Sequence, residues 1–341
     1  MKTLARRFAA ALKLAIDLFL TAVVLAVAAP LWFLPWRAAA ALGEFYGRMA
    51  GAFWPLARRA AMINLRRAYG PAMDRPRAER WTREAFGSLG RSIAEGVQFA
   101  RRFKKRGDPG ERIDVEDPGL EARILADPRP KIFVTGHLGS WEVAIGSAAR
   151  RVGGSSAVVI RRIDNPFLNA VVRRLRLTHG SEWIEKRGAS SEALRRLRAG
   201  ENVALLADEN GGPRGIFVDF FGRPASTHKT PALLSALTGA PIVAGAAIRR
   251  GDRFLYRLAV VEPRAAARPA DADGEIRRLT AEVAAIVERW VRESPTQWRW
   301  IHWRWRSRPD GSEETYRRRD LAACFRDGSP AAWRAELDAG S

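Results

Sequence analysis

The residues best placed to do chemistry lie in Gly136-His137-Leu138-Gly139-Ser140-Trp141-Glu142, directly after the apolar run Ile132-Phe133-Val134-Thr135. That pattern predicts a strand closing on His137 and a helix opening near Glu142, with a glycine-containing turn between them. Such a turn can fold the carboxylate back onto the imidazole. A helix N-terminus favours an ionised Glu142. A carboxylate on one ring nitrogen fixes the tautomer and leaves the other free to accept a proton. The pair is thus a base with its orienter but no adjacent nucleophile, so the chemistry would be activation of a substrate's hydroxyl. The same spacing also fits a structural histidine beside a helix cap.

Two more apolar runs end in charge. Ala157–Ile160 leads into Arg161-Arg162, and Val203–Ala207 into Asp208-Glu209. Sites in open α/β sheets form outside the carboxyl ends of strands, although every strand must end in something polar. The remaining histidines say less. His179 reads as a helix C-terminal residue, and His228, ahead of a helix, could meet an anion. His302 sits in Gln297-Trp298-Arg299-Trp300-Ile301-His302-Trp303-Arg304-Trp305-Arg306. Its Trp/Arg alternation could stack on nucleic-acid bases, but a strand burying Trp on one side, or a membrane-interface belt, is the preferred reading.

The elements that must position these groups follow an α/β grammar from residue 130 onward. Strands are predicted at Ile132–Thr135, Ala157–Ile160, Val203–Ala207, Ile242–Ile248 and Phe254–Val261. Helices are predicted at Trp141–Arg151, Pro166–Leu177, Ser191–Arg198, Thr230–Thr238 and Glu275–Glu293. Their short, continuous apolar runs imply a largely buried, mostly parallel or mixed central sheet flanked by helices. Four regions are expected: a membrane anchor or interfacial helix at 1–37, a helical region at 38–110, the α/β domain at 111–306, and a polar, peripheral tail at 307–341. The uncharged run Leu18–Leu34 would reach about 26 Å as a helix, just short of a bilayer core of about 30 Å. Ala26-Val27-Ala28 resembles a cleavage site, but the basic residues that follow favour a retained, tilted or interfacial helix.

Composition narrows the classes. The chain has 341 residues, 47% of them hydrophobic, and a net charge of +21. That apolar content excludes a disordered chain, and one cysteine, Cys324, excludes an internal disulfide. Of the 58 basic residues only seven are lysines and 51 are arginines. The surplus implies polyanionic neighbours, and the run Arg101-Arg102-Phe103-Lys104-Lys105-Arg106 reads as a solvated loop or a contact for phospholipid or an acidic partner. There is no G-x-S-x-G elbow, P-loop, G-x-G-x-x-G or H-E-x-x-H, which removes the main support for a serine hydrolase, a nucleotide enzyme or a zincin.

Four blocks in order resemble the bacterial lipid A biosynthesis acyltransferases, over about nine-tenths of the chain. His137 to Glu142 looks like that family's H-x4-D/E motif. Arg161 with Asn165-Pro166 looks like the second block, and Asp208, Gly211-Gly212 and Phe217 to Thr227 like the third. Ser294-Pro295-Thr296-Gln297-Trp298 with Trp300, His302 and Arg304 looks like the C-terminal signature. Ser140, Arg162 and Glu209 stand where the family more often has Asn, Pro and Gln. The resemblance implies a glycerol-phosphate-acyltransferase-like fold on a membrane helix, at the inner membrane with the catalytic domain facing the cytoplasm. It implies His137 and Glu142 as catalytic residues, and Arg161, Asn165, Asp208, Phe221, Gly222 and Thr227 as substrate-binding, with Asp208 positioning either Arg161 or the sugar. The expected partners are acyl carrier protein, anionic lipid and a glycolipid acceptor, with no nucleic acid. No metal and no cofactor is expected; the acyl donor, on acyl carrier protein or coenzyme A, is a co-substrate.

Overall fold

A computed structural model describes residues 2–106, 112–152, 156–160, 162–177, 181–185, 188–264 and 271–326. Arg161, His179 and residues 107–109 therefore lie outside the described residues, while the basic run 101–106, read as a solvated loop, forms the end of a helix.

Helix α1 (Lys2–Phe33) is longer than the uncharged run. The two charges within Phe8–Phe33, Lys13 and Asp17, sit one turn apart and pair at 2.6 Å, which makes them compatible with a continuous apolar helix. Phe8–Phe33, with mean hydropathy 2.3, is long and apolar enough to cross a membrane. After two residues the chain enters α2 (Trp36–Phe53), then α3 (Pro55–Tyr69) and α4 (Arg75–Arg106). α2 lies against α4 along Gly43, Gly47 and Gly51, which face Phe86, Gly90 and Ala94. A Cβ on Gly47 would stand 2.0 Å from the Phe86 carbonyl oxygen, so the backbones touch where side chains would otherwise separate them.

The α/β part runs β1 (Ile113–Val115), α5 (Pro118–Ala126), β2 (Ile132–Thr135), α6 (Trp141–Arg151), β3 (Ser156–Ile160) and α7 (Pro166–Leu177). It continues with β4 (Ser181–Glu185), α8 (Ala189–Arg198), β5 (Asn202–Leu206), β6 (Ile216–Asp219), β7 (Pro224–Thr227) and α9 (Thr230–Thr238). β8 (Ile242–Arg250), β9 (Arg253–Val261), α10 (Ala272–Glu293) and α11 (Arg318–Arg326) complete it. The described residues form a seven-stranded sheet of order β1-β9-β8-β2-β5-β3-β4. The five strands from β8 to β4 in that order are parallel, so β2, β5 and β3 end on one edge. Only β8 and β9 pair antiparallel within it. β6 and β7 form a separate hairpin.

The elements expected from 130 onward are present, most within a few residues of their predicted ends. β4, sequence Ser-Glu-Trp-Ile-Glu, was not foreseen: an edge strand with two carboxylates lacks the apolar run of a buried strand. The stretch after Arg306 is not wholly peripheral. Tyr316 is buried, its hydroxyl donates to Asn64 Oδ1 at 2.8 Å, and Arg67 pairs with Glu314. The Trp/Arg segment is a series of turns rather than a strand. Trp298, Trp300 and Trp305 are buried against Phe220 or Phe221, as core packing requires and base stacking does not.

Candidate active site

β2 delivers His137 to the carboxyl edge of the sheet, and its neighbour β5 delivers Asp208 beside it. Asp208 holds the histidine at two points, its backbone N–H and its ring Nδ1. The His137 backbone N–H donates to Oδ2 at 2.7 Å, and ring Nδ1 lies 2.9 Å from Oδ1. The Trp298 indole donates to Oδ2 at 2.8 Å. Asp208 is buried, and burial alone would push its carboxyl up. The charge and hydrogen bonds of His137 and the indole of Trp298 outweigh this and hold it below the ordinary aspartate range. Approach this close needs Gly136, where a Cβ would stand 3.0 Å from Asp208 Oδ2.

The loop after His137 is clamped from two sides. Arg299 N–H donates to the His137 carbonyl at 3.1 Å, and Gly139 N–H to the Gln297 carbonyl at 3.0 Å. Ser140 N–H reaches Ala247 O at 2.9 Å, while Gly139 adopts φ +62° with no room for a Cβ beside that same oxygen. The C-terminal signature thus folds back as a brace across the end of β2.

Glu142 does not occupy the expected position on the imidazole. Its carboxylate is held by Arg176 from α7, whose Nε donates to both oxygens at 3.1 Å and whose Nη2 also pairs with it. The Trp141 indole adds a 3.2 Å bond. Glu142 lies in the first turn of α6, which aims its carboxylate at α7. The carboxylate on the imidazole is that of Asp208.

The Nε2 side of His137 faces a polar group of side chains. Glu209 Oε1 lies 3.8 Å from His137 Nε2 and 3.8 Å from His302 Nδ1, and it pairs with Arg299. The Asn210 N–H donates to His302 Nε2 at 2.9 Å, which assigns the ring proton to Nδ1 when His302 is neutral. Burial, reinforced by the Arg299 charge, pushes His302 down to about 3. Arg304 is fully buried beneath this group and donates to Ser226 O and Thr227 Oγ1, both at 2.6 Å. Burial lowers it to about 10, which leaves it charged at neutral pH.

Four of the residues expected to bind substrate make contacts within the fold. Asn165 accepts the Phe167 and Leu168 N–H groups at 3.0 Å, capping α7, and bonds Thr21 and the Asp17 carbonyl of α1. Phe221 is buried between Tyr69, Phe220 and Trp300. It has φ +60° and Gly222 φ +71°, so the two make the β6–β7 turn. Thr227 is buried under Arg304. Asp208, Trp298, Glu209, Arg299 and Arg176 are the site residues whose partnerships the spacing did not reveal. The signal for Asp208 was present, a carboxylate after an apolar strand, but not the adjacency of β5 to β2.

His137 sits where two unlike parts of one cleft of about 920 Å³ meet. Glu209, Arg214, His228, Arg299 and His302 line the polar part; Ile145, Val158, Ile160, Val172, Leu205 and Leu206 line a mainly apolar trench reaching Trp183 on β4, with the Glu142–Arg176 pair and Glu182 also on the wall of the cleft. From β2 to β4 is three strand spacings, about 14 Å. The volume is in the range of small-molecule sites, about 300–1,000 Å³. The imidazole held by Asp208 thus lines the same cleft as these apolar side chains.

Comparison with known proteins specifies the class. Residues 8–307 match the family of bacterial lipid A biosynthesis acyltransferases, and the chain belongs to it. It is similar to the lipid A biosynthesis palmitoleoyltransferase of Escherichia coli (strain K12), 27% identical over 291 residues, covering 84% of this chain and 91% of that protein. The lipid A biosynthesis myristoyltransferase of the same organism is 25% identical over 277 residues, 81% of this chain and 83% of that one. The protein is therefore an acyltransferase.

Proposed function

We propose that the protein transfers a fatty acyl chain from a thioester, on acyl carrier protein or coenzyme A, to a hydroxyl of a lipid A precursor or related glycolipid. The observation that carries the reading is the position of His137. Asp208 occupies its Nδ1, and Nε2 opens on the junction of an apolar trench and a polar pocket. The donor's acyl chain lies in the trench, with its thioester carbonyl near the imidazole; the acceptor's head group enters the polar part. His137 Nε2 takes the hydroxyl proton as the oxygen attacks the carbonyl carbon. The tetrahedral intermediate then expels the thiolate, which recovers the proton from the imidazolium, with no acyl-enzyme. Positioned general-base catalysis of this kind supplies about 10²–10⁴-fold. Arg161 remains the candidate for the oxyanion, where a preorganised donor is worth roughly 3–4 kcal/mol. Glu142, locked to Arg176, shapes the wall between α6 and α7. Side chains supply activation and orientation, so the reading calls on no metal or bound cofactor.

The reading places the enzyme on the inner membrane through α1, catalytic domain toward the cytoplasm, where acyl carrier protein and anionic lipid are its neighbours. The test is lipid mass spectrometry on a bacterial host lacking its late lipid A acyltransferases, expressing wild type or His137→Ala at matched membrane abundance. The expected result is a single-acyl mass gain on the lipid A precursor with wild type only. Gain with both proteins removes His137 as the base. Gain on a glycerophospholipid instead moves the acceptor, and no gain on any lipid sinks the assignment in that host.

A further inference from the structure

Outside α1, few large hydrophobic side chains of the described residues are exposed, and most of those fall in one short stretch. Phe45, Met49, Phe53, Trp54 and Leu56 are exposed, Phe53 to 84%. Phe45, Met49 and Phe53 recur every four residues, which is one face of α2. They stand two positions from Gly43, Gly47 and Gly51, about 200° around the helix from the glycine face that grips α4. α2 therefore has one side welded to the body by backbone contact and an opposite side of large apolar groups with nothing over them. A soluble surface rarely shows such a patch without a function.

We propose that this face of α2, with Trp54 and Leu56 beyond its end, is a second membrane-contact surface that lies in the lipid interface. Its continuity with α1 supports lipid as the occupant: Phe33 ends α1 73% exposed, and only two residues intervene before Trp36 begins α2. The charges around it fit the same occupant. Arg37, Arg48 and Arg58 are exposed along the stretch; Arg37 pairs with Asp252 and Arg48 with Glu44, and the exposed guanidinium groups at its border suit an interfacial helix that meets anionic head groups. Aromatic side chains suit that depth, where their rings lie at head-group level. Two contacts along different helices would fix the tilt of the catalytic domain on the membrane, which a single helix leaves free to rotate.

The inference rests on the reading of α1 as a membrane helix, and the experiment separates the two. Full-length protein carrying Cys324→Ser receives one cysteine at a time, by Phe53→Cys, Val24→Cys or Arg195→Cys, each labelled with an environment-sensitive fluorophore. The labelled proteins are reconstituted into phosphatidylethanolamine and phosphatidylglycerol vesicles, with or without acyl-brominated lipid. The expected result is a blue shift and loss of emission with brominated lipid at positions 53 and 24, and neither at 195. Quenching at 24 without quenching at 53 overturns the α2 proposal and leaves α1 in the bilayer; quenching at neither site fails both. A disulfide between copies through position 53 before labelling assigns the face to a second copy of this chain and also overturns it. Phe45→Cys repeats the measurement if Phe53→Cys fails to fold.

Discussion

Two carboxylates compete for the role of orienting His137, and geometry separates them. Asp208 touches the imidazole and the histidine backbone together, whereas Glu142 is spent on Arg176. Asp208→Asn should lower kcat by about 10²-fold or more, because the amide can also accept or donate and so releases the tautomer. Glu142→Gln should lower the rate less, through the trench wall alone. The kcat of the two variants with one donor decides this; a larger loss with Glu142→Gln than with Asp208→Asn would reverse the assignment. His302 carries a second residue-scale prediction. Its ordinary value of 6.5 is pushed down to about 3, so below pH 6.5 the unfolded chain binds a proton that the native one refuses. Stability from this group is fully present above pH 6.5 and is lost as pH falls toward 3, at up to about 1.4 kcal/mol per pH unit. Urea unfolding between pH 7.5 and 5 should show that slope in wild type. His302→Gln, which keeps an acceptor for the Asn210 N–H, should lose that contribution.

Elements differ in how legible they were. β2, α6, α7 and α9 were readable almost to the residue, because each is a run of one periodicity ended by Gly, Pro or charge. The 136–142 segment likewise placed His137 at a strand end and Glu142 in a first helical turn. What local sequence cannot contain is strand order. β5 follows β2 by some 70 residues in the chain yet lies beside it in the sheet, and that adjacency creates the His137–Asp208 pair. The family blocks point to Phe221 and Thr227, and the structure places the first in a tight turn and the second against a buried arginine. Glycines show how an identical change depends on element context. Gly47→Ala puts a Cβ 2.0 Å from the Phe86 carbonyl oxygen, forcing α2 off α4. The expected cost is about 1–3 kcal/mol, as for other overpacked contacts. Gly274→Ala in α10 meets nothing within 4 Å at a helical φ. It should stabilise by about 0.4–1 kcal/mol through the unfolded chain. Thermal unfolding of the two variants in the same detergent should move Tm in opposite directions. A drop for both would mean that α10 is strained where it looks open.

At the scale of the whole molecule, the charge of +21 is too large to be consumed by the site, where Arg176, Arg299 and Arg304 already have partners. The surplus is spread over the surface and acts on neighbours at a distance, so it bears on encounter more than on the bound complex. An anionic membrane and an acidic carrier protein would both feel it, and they can be told apart. Exposed charges are screened over about 10 Å at 0.1 M salt and about 3 Å at 1 M. With a protein thioester as donor, kcat/KM should therefore fall steeply as salt rises while kcat changes little, because the encounter is steered and the acyl-transfer step is not. A coenzyme A thioester of the same chain length offers a much smaller charged surface and should show a shallower fall. Measuring both donors on one preparation, with acceptor in uncharged detergent micelles, removes the anionic lipid from the comparison. If the protein donor's kcat/KM stays flat across that range, the positive surface serves the membrane alone, and the carrier protein docks by apolar contact at the mouth of the trench.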